Sequence, residues 1–154
     1  MDKNLEIDKT DLKILSLLMH DAKMPYTAIG EKIFVSGGTV HVRMTKMEQM
    51  GIVKGSQLIV DPIKLGWDIS AFIGIYLDKS SLYDEVADQL EKIPEVVSIN
   101  YTTGMYSIFA KIVCRDTPHL REVLHDKVQK VQGIQRTETF ISLEERTIRP
   151  IPLL

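Results

Sequence analysis

A chain of 154 residues, 44% apolar and 26% charged, carries enough hydrophobic material for one or two small cores. No apolar run reaches the roughly 18–20 residues that cross a bilayer, and the opening MDKNLEIDKTD is too acidic and polar for a secretory leader. A single cysteine, Cys114, excludes an intrachain disulfide framework and suits a reducing cytoplasm. The net charge of −2 is unevenly spread: residues 22–54 carry +3 and residues 61–154 carry −3.

In chain order, Asp8 and Asp11 form a variant capping box ahead of a first helix. Its Leu12, Leu15 and Met19 share a face, with Ile14 and Leu18 beside them. Pro25 suits the opening of a second, short helix over Tyr26–Ile33, with Ala28, Ile29 and Ile33 inward. Ser36 is a good N-cap for a third helix, and Gly51 a good stop. Val40, Met44 and Met47 fall at i, i+4 and i+7, a stripe toward the other two helices. The opposite side presents Gly38, His41, Val42, Thr45, Lys46 and Gln49. This is the layout that places one helix in the DNA major groove. The candidate DNA-reading residues are Ser36, Gly38, Thr39, His41, Val42, Arg43, Thr45, Lys46 and Lys54. Thr45 and His41 suit base edges and Val42 a thymine methyl, while Arg43 and Lys46 flank the face and suit phosphates. Ile52-Val53 and Leu58-Ile59-Val60, on either side of Lys54-Gly55-Ser56-Gln57, predict a hairpin wing with Lys54 near its tip.

The predicted organisation is a winged helix-turn-helix domain over residues 1–61, a linker over 62–68 and a second domain over 69–154. In the second domain Ile69–Leu77 reads as a strand, Ser81–Lys92 as an amphipathic helix closed by Pro94, and Val96–Thr103 and Tyr106–Cys114 as two strands around Gly104-Met105. Thr117 caps a further helix with Pro118 at its first position, Gly133 ends it, and Ile134–Leu143 is the last strand. The order β-α-β-β-α-β predicts a ferredoxin-like α+β fold with both helices on one face of an antiparallel sheet. The other face needs cover, which a two-fold dimer supplies.

Two stretches point to a small zwitterionic ligand. Tyr101, Thr102, Thr103, Gly104, Met105 and Tyr106 gather hydroxyls and backbone amides around a glycine turn, and Gln135, Thr137 and Thr139 line one side of the last strand. Hydroxyls and N–H groups suit the carboxylate of an amino acid, and acceptors its ammonium. Enzymatic chemistry is not expected. His119 and His125 are six apart and share no ligand face, Cys114 reads as a small core residue, and there is no phosphate loop or metal motif. An RNA platform is not expected either, because Tyr106 and Phe109 lack the alternate spacing of rings on one strand face.

The residues Val35-Ser36, Gly38-Thr39-Val40-His41-Val42-Arg43, Gly51-Ile52-Val53 and Leu65-Gly66-Trp67-Asp68 resemble the Lrp/AsnC (feast/famine) family of transcriptional regulators. So do Phe72-Ile73-Gly74-Ile75, Tyr101-Thr102-Thr103-Gly104 with Tyr106-Ser107-Ile108-Phe109, and Thr137-Glu138-Thr139. The resemblance implies a regulator that binds double-stranded DNA and answers to an amino acid effector, with L-asparagine the first candidate. It implies homodimers that assemble further, commonly to octamers, with the effector near Gly104, Tyr106 and the Thr137–Thr139 strand. It implies no cofactor, no metal and no membrane. The competing reading is an amino-acid-sensing subunit that regulates a metabolic enzyme without specific DNA binding. The chain departs from the family pattern at Phe34, where the turn usually carries glycine, at Gly37, where proline is common, and at Gly30, where alanine is common.

Overall fold

The computed structural model describes residues 7–154. Asp8 caps helix α1 (Lys9–His20) by accepting the Thr10 and Asp11 N–H groups, and the Asp11 carboxylate accepts the Asp8 N–H at 2.9 Å. The predicted capping box is therefore complete, and two otherwise orphaned helix-start donors are satisfied reciprocally. Helix α2 (Tyr26–Ile33) follows Pro25, and helix α3 (Gly37–Gln49) follows Ser36, whose hydroxyl accepts the Thr39 N–H at 3.0 Å. Ile14, Ile29, Val40 and Met47 are fully buried where the three helices meet, with Met44 beside them. Each contributes about 1.5–3 kcal/mol of apolar burial. Within the first helix the deepest position is Ile14 rather than the Leu12–Leu15–Met19 line.

The turn between α2 and α3 accounts for Gly30, while nothing in the structure explains Phe34. Phe34 has φ 61° and ψ 44°, left-handed backbone that glycine adopts without strain. A Cβ on Gly30 would come within 2.4 Å of the Val35 carbonyl oxygen, so the turn closes into space that an alanine would occupy. The Phe34 side chain is 94% exposed and stabilises nothing in return. Phe34→Gly is expected to stabilise the helical unit by about 1 kcal/mol, the cost of left-handed backbone less the entropy glycine loses on folding. A lower urea midpoint in the variant would refute that account.

The hairpin expected over 52–60 does not form. Residues 53–60 run without strand pairing, and Leu58, Ile59 and Val60 are exposed. Two arms of two and three residues have no third strand to lean on, and isolated two-stranded hairpins are marginal. The described residues therefore form a helix-turn-helix without a paired wing.

Strand β1 (Ile69–Leu77), helix α4 (Tyr83–Leu90), strands β2 (Val96–Tyr101) and β3 (Ile108–Cys114), helix α5 (Thr117–Glu122) and strand β4 (Ile134–Ser142) give the predicted β-α-β-β-α-β order. The sheet is antiparallel in the order β2-β3-β1-β4. Asp116, not Thr117, caps α5 by accepting the His119 N–H at 2.8 Å, and a π-helical turn over Val123–Lys127 continues it. Ala71, Ile73, Ile75, Ile108, Ala110 and Ile112 face α4 and α5, where Val86, Leu90, Leu120, Val123 and Val128 complete the core. The chain divides into two compact units, Met1–Ile59 with Thr147–Leu154, and Val60–Arg146. The final residues, counted with the second domain on sequence, thus group with the helices.

Candidate functional site

Helix α3 turns Val40, Met44 and Met47 into the core, so Gly38, His41, Val42, Lys46 and Gln49 stay exposed on its other side. The candidate DNA-reading residues of α3 and its cap lie on one continuous stretch. Ser36 and Thr39 join their hydroxyls at 2.9 Å in the cap itself. Thr45 Oγ1 donates to the His41 carbonyl oxygen at 3.1 Å, and the His41 ring lies 6.0 Å from that of Tyr26. Lys54 is exposed on the unpaired segment rather than at a hairpin tip.

Arg43 behaves differently from the flanking phosphate ligand expected. Its Nη1 donates to Asp8 Oδ2 at 2.8 Å and to Asp11 Oδ1 at 2.9 Å, tying the middle of α3 to the first turn of α1. The Asp11 side chain is only 4% exposed. The Asp11 N–H and then Arg43 hold the Asp8 carboxyl below its ordinary range, while Asp11 and Asp8 raise the guanidinium further. Arg43 thus fixes how α3 stands against α1. Asp8 and Asp11 were legible as cap residues only. Their partner lies 35 and 32 residues away, and the available signal was an acidic N3 residue on the inward side of α1.

The effector candidates divide between the two edges of the sheet. Thr102 Oγ1 donates to the Tyr106 carbonyl oxygen and the Thr102 N–H to the Ser107 carbonyl, closing the turn between β2 and β3. Thr103 and Gly104 are exposed in that turn, and Met105 is 78% exposed at its tip. Tyr101 lies against Tyr83 with ring centroids 4.3 Å apart. Thr137 and Thr139 sit on β4 opposite Ile75 and Ile73, and Gln135 falls at the irregularity beside Leu77. Two strands separate β2 from β4, about 14 Å at about 4.8 Å per strand, yet Tyr106 of the turn reaches β4 at Glu138.

Tyr106 makes the crossing on the open face. Its ring covers Gly74, where a Cβ would stand 2.5 Å from ring carbons, and its hydroxyl donates to Glu138 Oε2 at 2.6 Å. Tyr76 donates to Glu138 Oε1 at 3.5 Å, and the Arg136 guanidinium lies 4.0 Å from the Tyr76 ring centroid. The Glu138 hydrogen bond, then burial, pushes the Tyr106 phenol up to about 12. Glu138 was missed among the candidates because alternation placed it opposite Thr137 and Thr139, on the face where Tyr106 now stands. The expectation that Tyr106 and Phe109 share no platform also fails: their centroids are 6.0 Å apart and Phe72 stacks on Phe109 at 5.6 Å. Tyr106 precedes β3 and does not obey its alternation. Gly74→Ala is expected to evict the Tyr106 ring, cost about 1–3 kcal/mol of stability, and return the phenol toward its ordinary value near 10. An ultraviolet phenolate titration reads this, and an unchanged profile would contradict the packing described.

Among the described residues no helix is long and apolar enough to cross a membrane, and no group of three or more His, Cys, Asp or Glu is arranged to hold a metal. Residues 7–48 match the AsnC-type helix-turn-helix domain, and residues 70–151 the Lrp/AsnC ligand binding domain. The chain is 46% identical to the regulatory protein AsnC of Haemophilus influenzae over 145 residues, 94% of this chain and 97% of that protein. It is 43% identical to the regulatory protein AsnC of Escherichia coli K12 over 151 residues, 96% of this chain and 99% of that protein. The solved structure of Escherichia coli AsnC superposes with a TM-score of 0.89 at 42% identity, covering 94% of this chain and 97% of that one. A reading helix on a three-helix core, an antiparallel sheet with a tyrosine-bearing turn, and near-full-length matches to named regulators lead to one conclusion: the chain belongs to the Lrp/AsnC family of DNA-binding transcriptional regulators.

Proposed function

We propose that this regulator binds a specific DNA duplex through α3 and that an amino acid, L-asparagine first among candidates, tunes that binding. The observation that carries the reading is α3 itself, whose exposed side offers His41, Val42, Lys46 and Gln49 from a core that holds the opposite side rigid. The asparagine assignment rests on the similarity to proteins named AsnC.

The effector site is completed by a second chain. Thr102 and Gly104 toward one edge and Thr137 and Thr139 on the other form one site when another copy supplies one half. The aromatic open face, with Phe72, Phe109 and Phe140, suits sheet-to-sheet dimerisation, and further assembly to an octamer follows the family pattern. The protein acts in the cytoplasm, without cofactor or catalytic step. The enzyme-subunit alternative is not favoured, because the helix-turn-helix match covers residues 7–48.

Selection from a random-sequence duplex library with the full chain, followed by calorimetry with the twenty amino acids, tests this reading. One preferred duplex and heat from asparagine are expected. No preferred duplex overturns the DNA assignment, and heat only from other amino acids overturns the effector assignment.

A further inference from the structure

Direct base reading by an α-helix usually rests on arginine or lysine paired with guanine or on asparagine or glutamine paired with adenine. Helix α3 has one arginine, and Nη1 of Arg43 is already engaged by two carboxylates. It has no asparagine, and its one lysine, Lys46, and one glutamine, Gln49, lie in its C-terminal half, whereas reading helices use their N-terminal half. Beside His41, whose ring lies 6.0 Å from that of Tyr26, the N-terminal half exposes a β-branched apolar side chain. Val42 is 71% exposed, and at about 100° per residue it points about 200° from both Val40 and Met44, directly away from the core. One turn before it, Gly38 has no side chain, and a Cβ there would meet only the Ser36 hydroxyl, at 3.7 Å. Gly38, Thr39 and Val42 line an open groove with Arg43 and Lys46, and Ile7, Asp8 and Asp11 form its other side. An exposed valine beside a missing side chain is a surface that accepts a methyl group.

We propose that Val42 is a specificity-determining residue that reads the C5-methyl of a thymine, and that this apolar contact, rather than guanidinium–guanine pairing by Arg43, is a base-specific contact of the N-terminal half of α3. The inference rests on the DNA reading above and names the base chemistry it requires. The methyl lies over Val42 with Gly38 giving it access, while Arg43 sets the angle of the helix.

The test uses the full chain and a duplex obtained by selection, at fixed salt. Each thymine is replaced singly by uracil, which removes only the methyl, and each guanine singly by 7-deazaguanine, which removes the N7 acceptor. Uracil at one position per half-site is expected to weaken binding about fourfold, the effect of losing one buried methyl-sized group. Val42→Ala, an exposed substitution that leaves the core intact, is expected to weaken the thymine duplex by a similar factor and to erase the thymine–uracil difference. Uracil without effect at every position overturns the inference, as does a Val42→Ala variant that still discriminates thymine from uracil. A dominant loss at a 7-deazaguanine that disappears in Arg43→Lys also overturns it, in favour of guanine reading by Arg43. Those three results leave specific DNA binding standing, whereas a selection that returns no preferred duplex removes the DNA reading and the inference together.

Discussion

Arg43→Ala is expected to destabilise the helical unit by about 3 kcal/mol, because it leaves the nearly buried Asp11 carboxylate without its counter-charge. A residue that only touched phosphate would cost little stability and much salt-dependent affinity. Arg43 spans from α3 to α1 through a single nitrogen, and its loss frees α3 to change its angle as well as lowering the melting point. Urea unfolding followed by circular dichroism checks the stability. An unchanged midpoint with weakened DNA binding would return Arg43 to the phosphate role. The same latch gives a pH signature. Asp8 is held below its ordinary range in the folded state, so its contribution is complete above that range and is lost as pH falls through the depressed value. Helical-unit stability should therefore decline on the acid side, and the decline should be shallower in Arg43→Ala.

Glu95→Ala is the second large loss, about 3 kcal/mol in the sheet unit. Glu95 Oε1 accepts from Lys127 Nζ at 2.7 Å and from His119 Nε2 at 3.1 Å. The Arg115 N–H donates to His119 Nδ1 at 3.1 Å, so the ring carries its proton on Nε2, toward Glu95. Burial pushes the Glu95 carboxyl up, but Lys127, its own backbone N–H and His119 together outweigh burial and hold it below its ordinary value. The stabilisation is therefore present above the ordinary carboxylate range and lost as pH drops below it. Glu95→Gln keeps an acceptor for His119 and removes the charge, so it should lose less stability than alanine and flatten the acid dependence. Equal urea midpoints for Glu95→Ala and the parent would refute the role. Burial, then the nearby Glu95 charge, pushes the Cys114 thiol up to about 11, in keeping with an inert core cysteine.

Local chemistry made much of this molecule legible in its sequence. Ser36 and Gly51 bracket α3 because a side-chain acceptor and a left-handed stop are needed at those points, and both features are present. The family resemblance, which puts glycine where Phe34 stands, pointed to the position whose φ is positive. The six elements of the sheet unit followed from periodicity and from Pro94, Pro118 and Gly133. What escaped depends on distance through space. Arg43 with Asp11, and Glu95 with His119 and Lys127, join residues far apart in sequence, the second through a π-helical turn that periodicity does not announce. Tyr106 eluded the alternation rule by lying just outside its strand. The hairpin failed because short apolar runs specify a strand only when something is there to bury them.

Affinity for the selected duplex at fixed salt, with and without saturating L-asparagine, tests the central claim most directly. An amino-acid-tuned regulator predicts a change of about 5- to 150-fold, the usual span of allosteric coupling, with asparagine affinity shifted by the same factor when DNA is bound. Identical DNA affinity in the two conditions would contradict it.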